Sequence, residues 1–134
     1  MITMKIIYVY SIILLFLLPL GVKADPIDNI MHMLRQGNTQ ELSKLFSDNV
    51  EITVLDGDNS LDKTTAMPVL DKFFTDNKPR SVRLFHKIDS NPNYLFGVVF
   101  LNTDKGLYRI SLTLSKHDAE MKIVEMRIEA EKTK

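Results

Sequence analysis

The sequence predicts an α+β domain in which three helices from the N-terminal half pack on a curved antiparallel sheet built by the C-terminal half. Two patterns predict it. Up to Asn77 apolar residues recur three times at helical spacing, the second and third groups behind a capping residue, whereas from Arg80 onward four alternating segments are separated by short turns. A third observation sets the limits of the domain. An apolar run opens the 134-residue chain, and the remainder has the size of one small domain rather than two.

That opening segment has three parts. Lys5 gives a positive start, an apolar run extends from Ile6 to Leu20, and Gly21-Val22-Lys23-Ala24 precedes an abruptly polar Asp25. This is the layout of an export signal cleaved after Ala24, so residues 1–24 are read as a signal peptide and residues 25–134 as the mature domain, periplasmic or secreted. The apolar run is shorter than the roughly 20 residues a spanning helix needs, so no membrane anchor is expected after cleavage. The chain has no cysteine, which removes disulfides, thiol nucleophiles, thiolate metal sites and an attachment point for an N-terminal lipid. Losing Lys5 and Lys23 leaves 15 basic against 17 acidic residues, a net charge of about −2. With no basic cluster denser than Lys78-Pro79-Arg80-Ser81-Val82-Arg83, nucleic acid is not an expected partner.

Ile27, Ile30, Met31 and Leu34 recur at helical spacing between Pro26, suited to a first turn, and Gly37, suited to a stop; this predicts a helix over Pro26–Gln36. Asn38 with Glu41 forms a capping box for a second helix, whose stripe of Leu42, Leu45 and Phe46 runs to Asp48-Asn49. Val50 to Leu55 alternates as a strand, and Asp56-Gly57 turns it back toward a short strand near Ser60 to Lys63. Thr64 or Thr65 then caps a third helix with Pro68 in its first turn and Met67, Leu70, Phe73 and Phe74 on its apolar face.

The four long segments are Ser81 to Ile88, Tyr94 to Thr103, Leu107 to Lys116 and Met121 to Ala130, an antiparallel meander. Turn chemistry sets an expected register. Asp104-Lys105-Gly106 read as a three-residue hairpin places Thr103 opposite Leu107 and Phe100 opposite Ile110, and Asn91-Pro92 in a loop places Ile88 opposite Tyr94 and His86 opposite Phe96. For the last hairpin, a loop of Asp118-Ala119-Glu120 puts Arg109 opposite Glu129, which is preferred to the alternative that faces Arg109 with Arg127. Even-numbered residues then share the face under the helices: Val82, Leu84, His86, Ile88, Tyr94, Phe96, Val98, Phe100, Tyr108, Ile110, Leu112, Leu114, Val124, Met126 and Ile128. The odd face is mixed, yet Phe85, Leu95, Val99, Leu101, Leu107 and Ile123 give it more apolar material than a solvated face needs.

This order of elements resembles the cone-shaped nuclear transport factor two-like fold, also called cystatin-like, and within it a family of secreted bacterial proteins of unknown function. The residues carrying the resemblance are Thr64-Thr65-Ala66, Lys72-Phe73-Phe74, His86, Tyr94-Leu95-Phe96-Gly97, Thr103 to Ile110 and Glu125-Met126-Arg127-Ile128-Glu129. They cover nearly the whole mature chain, but they are strand and turn residues, and the family brings no established activity. The resemblance implies a cone with a pocket between the third helix and the sheet. In ketosteroid isomerase-like members a carboxylate takes a proton there while a tyrosine and a second acid steady the oxyanion.

Here the expected inner face carries tyrosines and one histidine but no Asp or Glu in mid-strand, so an enzyme would need a carboxylate from elsewhere, such as Asp71. His86 is read as a hydrogen-bonded core residue rather than a catalyst. Neither His32 nor His117 has an acid at ligand spacing, so no metal is expected. Asp56-Gly57-Asp58-Asn59-Ser60-Leu61-Asp62 imitates the start of a calcium loop, then fails with Leu61 at the glycine position and Met67 at the final acid. No fingerprint of a phosphate-binding or dinucleotide cofactor occurs. The reading is an exported binding or interaction domain without a catalytic site or cofactor. A small apolar ligand would lie against Phe74, His86, Phe96 and Tyr108. A second copy or another exported protein would meet an outer face of Phe85, Leu95, Val99, Leu101 and Arg109. The alternative is a ketosteroid isomerase-like enzyme acting on a small apolar substrate in the cone.

Overall fold

The computed structural model describes residues 25–55, 57 and 59–132; the expected signal peptide, and Asp56 and Asp58 of the expected turn, lie outside the described residues. The order of elements is α1 (Pro26–Gln36), α2 (Thr39–Ser43), β1 (Phe46–Val54), α3 (Lys63–Asp76), β2 (Pro79–Asn91), β3 (Tyr94–Thr103), β4 (Leu107–His117) and β5 (Glu120–Ala130). The strands form one curved mixed sheet in the order β1-β5-β4-β3-β2.

Helix α1 spans the expected residues because both its ends are chemically specified. The Asp25 carboxylate accepts the Ile27 N–H at 2.9 Å. At the other end Gly37 takes φ 63°, and the N–H groups of Gly37 and Asn38 close on the carbonyls of Leu34 and Met33. Ile27, Ile30 and Leu34 are fully buried and lay the helix across β2 and β3. The approach is tight at Gly97, where a Cβ would sit 2.8 Å from Ile27 Cδ1. Gly97→Ala is therefore expected to cost about 1 kcal/mol, since the end of the buried Ile27 side chain has to shift to admit the methyl group. Urea unfolding checks this, and an unchanged midpoint would mean that the helix does not seat there.

Helix α2 ends at Ser43, well short of the expected stop, because Phe46 already belongs to a strand. Its cap is the expected one, with Asn38 accepting the Glu41 N–H at 3.1 Å. Strand β1 runs parallel to β5, pairing Phe46 with Ile123 and Glu51 with Glu125, so the sheet is mixed rather than antiparallel throughout. The expected short strand near Ser60 reduces to one bridge between Ile52 and Leu61. Helix α3 begins earlier than expected, because the Asp62 carboxylate captures the Thr65 N–H at 2.8 Å; Pro68 consequently lies inside the helix, with its ring exposed.

The β4–β5 register is the expected one. Arg109 faces Glu129, and their side chains bond at 2.7 Å. The β3–β4 register differs from expectation by one residue: Val99 faces Ile110, Leu101 faces Tyr108 and Asn102 faces Leu107. The cause is Thr103, whose hydroxyl oxygen accepts the N–H groups of Lys105 and Gly106 while the hydroxyl donates to the Gly106 carbonyl. The turn thus spends four residues, Thr103 to Gly106, where three were expected. A one-residue slip sends every side chain of a strand to the other face. Leu95, Val99, Leu101 and Thr103 are therefore buried beneath the helices, and Phe96 and Phe100 lie on the outside. In β2 the register shifts between Leu84 and His86, which pairs His86 with Val98 and Ile88 with Phe96 on the outer face. In β5 a shift opposite Thr113 and Leu114 turns Ile123 inward.

Candidate interaction face

The inner face is filled by side chains. Phe73 meets Phe74 edge-on with ring centroids 5.2 Å apart, and meets Tyr108 edge-on at 4.9 Å. Their one polar tip is satisfied: Tyr108 Oη donates to Asn77 Oδ1 at 2.7 Å, and Asn77 Nδ2 donates to the Phe73 carbonyl at 2.9 Å. Asn77 is buried at the C-terminus of α3, so this amide both caps the helix and anchors the tyrosine. Val99, Leu101, Ile110, Leu112, Met126 and Ile128 close the space between the helices and the sheet.

Of the four residues expected to line a cone pocket, Phe74 and Tyr108 lie inside as part of this packing. His86 and Phe96 lie on the opposite face, so the four are not brought together. His86 is exposed, which corrects its reading as a core histidine. Asp71 does not reach the interior either: it is exposed on α3, where its carboxylate accepts the Thr39 hydroxyl across the α2–α3 seam. Among the described residues, no three His, Asp or Glu side chains gather as a metal site.

The outer face carries an apolar cluster of different membership from that expected. Leu95, Val99 and Leu101 are core, whereas Phe85 and Arg109 do lie outside. Phe85 is 61% exposed, Ile88 46% and Tyr94 46%. Half-buried Phe96 and Phe100 join them across β2 and β3, with Phe85 and Phe100 centroids 4.8 Å apart and the Arg83 guanidinium 5.1 Å from the Phe100 ring. The β4–β5 half of the same face is charged. Glu129 receives Arg109 and lies 3.6 Å from Arg127; the Arg109 hydrogen bond holds the Glu129 carboxyl below its ordinary range and raises Arg109. Sequence reasoning missed Ile88, Tyr94, Phe96 and Phe100 on this face. The signal for Phe100 was Thr103 ahead of Asp104, a residue pair able to build a side-chain-bonded turn.

At the other end of the sheet, an open cleft of about 760 Å³ has Lys44, Lys63 and Lys122 on its walls, opposed by Asp48, Asp118 and Glu120. The balance of sign gives it no field to select an ion. Near the start of α1, Lys87 Nζ bonds Asp25 at 2.7 Å, with Asp89 3.6 Å away. That hydrogen bond draws the Asp25 carboxyl below its ordinary 3.8, and the same contact raises Lys87 above 10.5. The Asp25 contribution is present above the unfolded carboxyl value and is lost as pH falls through the depressed folded one; the Lys87 contribution is full below 10.5 and is lost as pH rises beyond it. Lys87→Met is thus expected to flatten the acid limb of stability below about pH 4, measured by thermal melts from about pH 2 to 6. An acid limb identical to wild type would assign that limb to other carboxylates.

Residues 27–129 match the family described as a domain of unknown function, DUF4783. The chain belongs to this family. A DUF4783 protein from Bacteroides uniformis ATCC 8492 is 24% identical, with a TM-score of 0.73 over 81% of this chain and 100% of that one. One from Bacteroides ovatus ATCC 8483 is 26% identical, with a TM-score of 0.70 over 78% and 94%. A nuclear transport factor two-like protein of unknown function from Shewanella baltica OS155 is 12% identical, with a TM-score of 0.63 over 80% and 89%, a likeness of fold alone. No curated protein matches the chain. This DUF4783 chain accordingly has the nuclear transport factor two-like α+β fold, as the sequence led one to expect.

Proposed function

We propose that the mature DUF4783 domain is an exported, non-enzymatic interaction module whose outer sheet face binds a protein partner, in its simplest form a second copy of itself. The observation that supports this is the apolar cluster of Phe85, Ile88, Tyr94, Phe96 and Phe100, which crosses two strands in water. Isolated exposed apolar residues are ordinary, but a contiguous aromatic group is the composition of an interface core, and Arg83, Arg109 and Glu129 supply a charged rim beside it. A two-fold contact matches this arrangement with itself, since apolar half meets apolar half. The packed interior argues against a ligand in the cone and against the isomerase-like alternative, because Phe73, Phe74 and Tyr108 occupy the place a substrate would take.

The test is the mass of the mature protein by light scattering across micromolar concentrations, for wild type and for Phe85→Glu with Ile88→Glu. Both side chains already reach solvent, so the variant should fold, and a shift from dimer to monomer is the expected result. A wild type that remains monomeric at high micromolar concentration leaves a foreign exported protein as the occupant. A double variant that stays dimeric would remove this face from the interface.

A further inference from the structure

Resting on the reading of the outer face as a contact between two copies, we infer that this contact is gated by acid: His86 lies at the middle of the apolar cluster, and protonation of its imidazole separates the copies.

The position of His86 follows from the register. Along the seam between β2 and β3 the outward-facing pairs are Arg83 with Phe100, His86 with Val98, and Ile88 with Phe96. The shift between Leu84 and His86 sets Phe85 and His86 in succession on one face, and the Phe85 ring lies against Phe100 with centroids 4.8 Å apart. His86 therefore has Phe85 and Phe100 toward one end of the cluster, and Ile88, Phe96 and Tyr94 toward the other. Val98, directly across from it, is only 9% exposed and stands apart from the core under the helices. The middle of the outer cluster is thus already dry beside the exposed imidazole.

In a two-fold contact, a residue at the middle of the shared patch lies near the axis and meets its own copy. Two imidazoles are then brought together among apolar rings that exclude water. Neutral, each has one N–H donor and one acceptor, so the pair can bond across the axis; protonated, both rings are donors only and carry like charge. Nothing nearby compensates that charge. Strands β3 and β4 contain no Asp or Glu, and the single acid of β2, Asp89, lies toward Lys87, which Asp25 holds from the start of α1 on the opposite face. The titratable groups on the same face are Arg83 on β2, Tyr94 on β3, and Arg109 and His117 on β4, with Arg109 already bound to Glu129. Arg83 adds a further positive charge. Burying like charges without partners is costly, and imidazole is the side chain that gains its charge between about pH 8 and 5. The sign is fixed accordingly: separated copies bind two more protons than the pair does, so the pair is favoured at neutral pH and lost as pH falls through the imidazole range.

The experiment is sedimentation equilibrium of the mature protein at about pH 8 and about pH 5.5, with circular dichroism at both values to establish that the chain is folded. The wild-type dimer should dissociate about a hundredfold more readily at the lower value, the effect of two protons per dimer over roughly one pH unit. His86→Gln and His86→Phe, neither of which can take a proton, should each change by less than about threefold, while His117→Gln, at the far end of β4, keeps the wild-type dependence. Equal wild-type dissociation constants at the two values overturn the gate, and so does a His86→Gln chain that retains the wild-type dependence. A folded wild type that is monomeric at the higher value overturns the two-copy reading itself, and the gate falls with it.

Discussion

Val99→Glu is expected to abolish cooperative folding, while Phe96→Glu, three residues earlier on the same strand, leaves a cooperative transition. Val99 is fully buried between Leu84 and Ile110 on the inner face of the sheet, so an ionised carboxylate there loses its water and gains no partner. The cost, several kcal/mol after relaxation, is comparable with the whole stability of a domain of this size, about 5–15 kcal/mol. Phe96 points to the opposite face and keeps part of its surface in water, so its replacement loses packing without burying a charge. Circular dichroism melts of the two variants decide the matter. A folded Val99→Glu beside an unfolded Phe96→Glu would restore the three-residue turn at Asp104 and exchange the inside of β3 for its outside.

Phe73→Ala is expected to cost about 3–5 kcal/mol and to open a cavity where the Phe73 ring now packs. Phe73 is almost wholly buried and is the ring that both Phe74 and Tyr108 meet edge-on. Apolar cavities of this kind stay dry and accept small hydrocarbons. The variant should therefore gain thermal stability on saturation with benzene, through binding to the native state alone, whereas wild type should not. A wild type stabilised by benzene to the same degree would show that its interior already admits an apolar ligand, and would revive the cone as a binding site.

Local chemistry was legible in the sequence, and non-local pairing was not. Helix α1 was readable to the residue because Pro26 and Gly37 each act within a few positions of themselves. Facing Arg109 with Glu129 was readable because the rival register opposed two arginines. Strand β1 against β5 was not, since a parallel pairing between residues some seventy positions apart has no turn to announce it. The turn after β3 was misread at one hydroxyl, Thr103, and that single residue carried Leu95, Val99, Leu101 and Phe96 to the wrong sides. The candidate site suffered accordingly. An apolar outer face was foreseen, but its members were mostly those of the core, and His86 changed sides through the register shift beside Phe85.

Both rims of the sheet are broken ladders. Strand β2 runs along one rim and changes register three times in its length, once at Phe85; strand β1 runs along the other and loses step with β5 between Phe46 and Glu51. An uninterrupted rim of unpaired amides is a template on which another strand can zip, and on which a third can follow. Each irregularity here spoils that template over a few residues, as a missing tooth stops a rack from meshing. Growth of the sheet sideways, from molecule to molecule, is thus discouraged at both ends. The stickiness of Phe85, Ile88 and Tyr94 is left to act across the face, where a pair can close on itself and no free end remains to recruit the next chain.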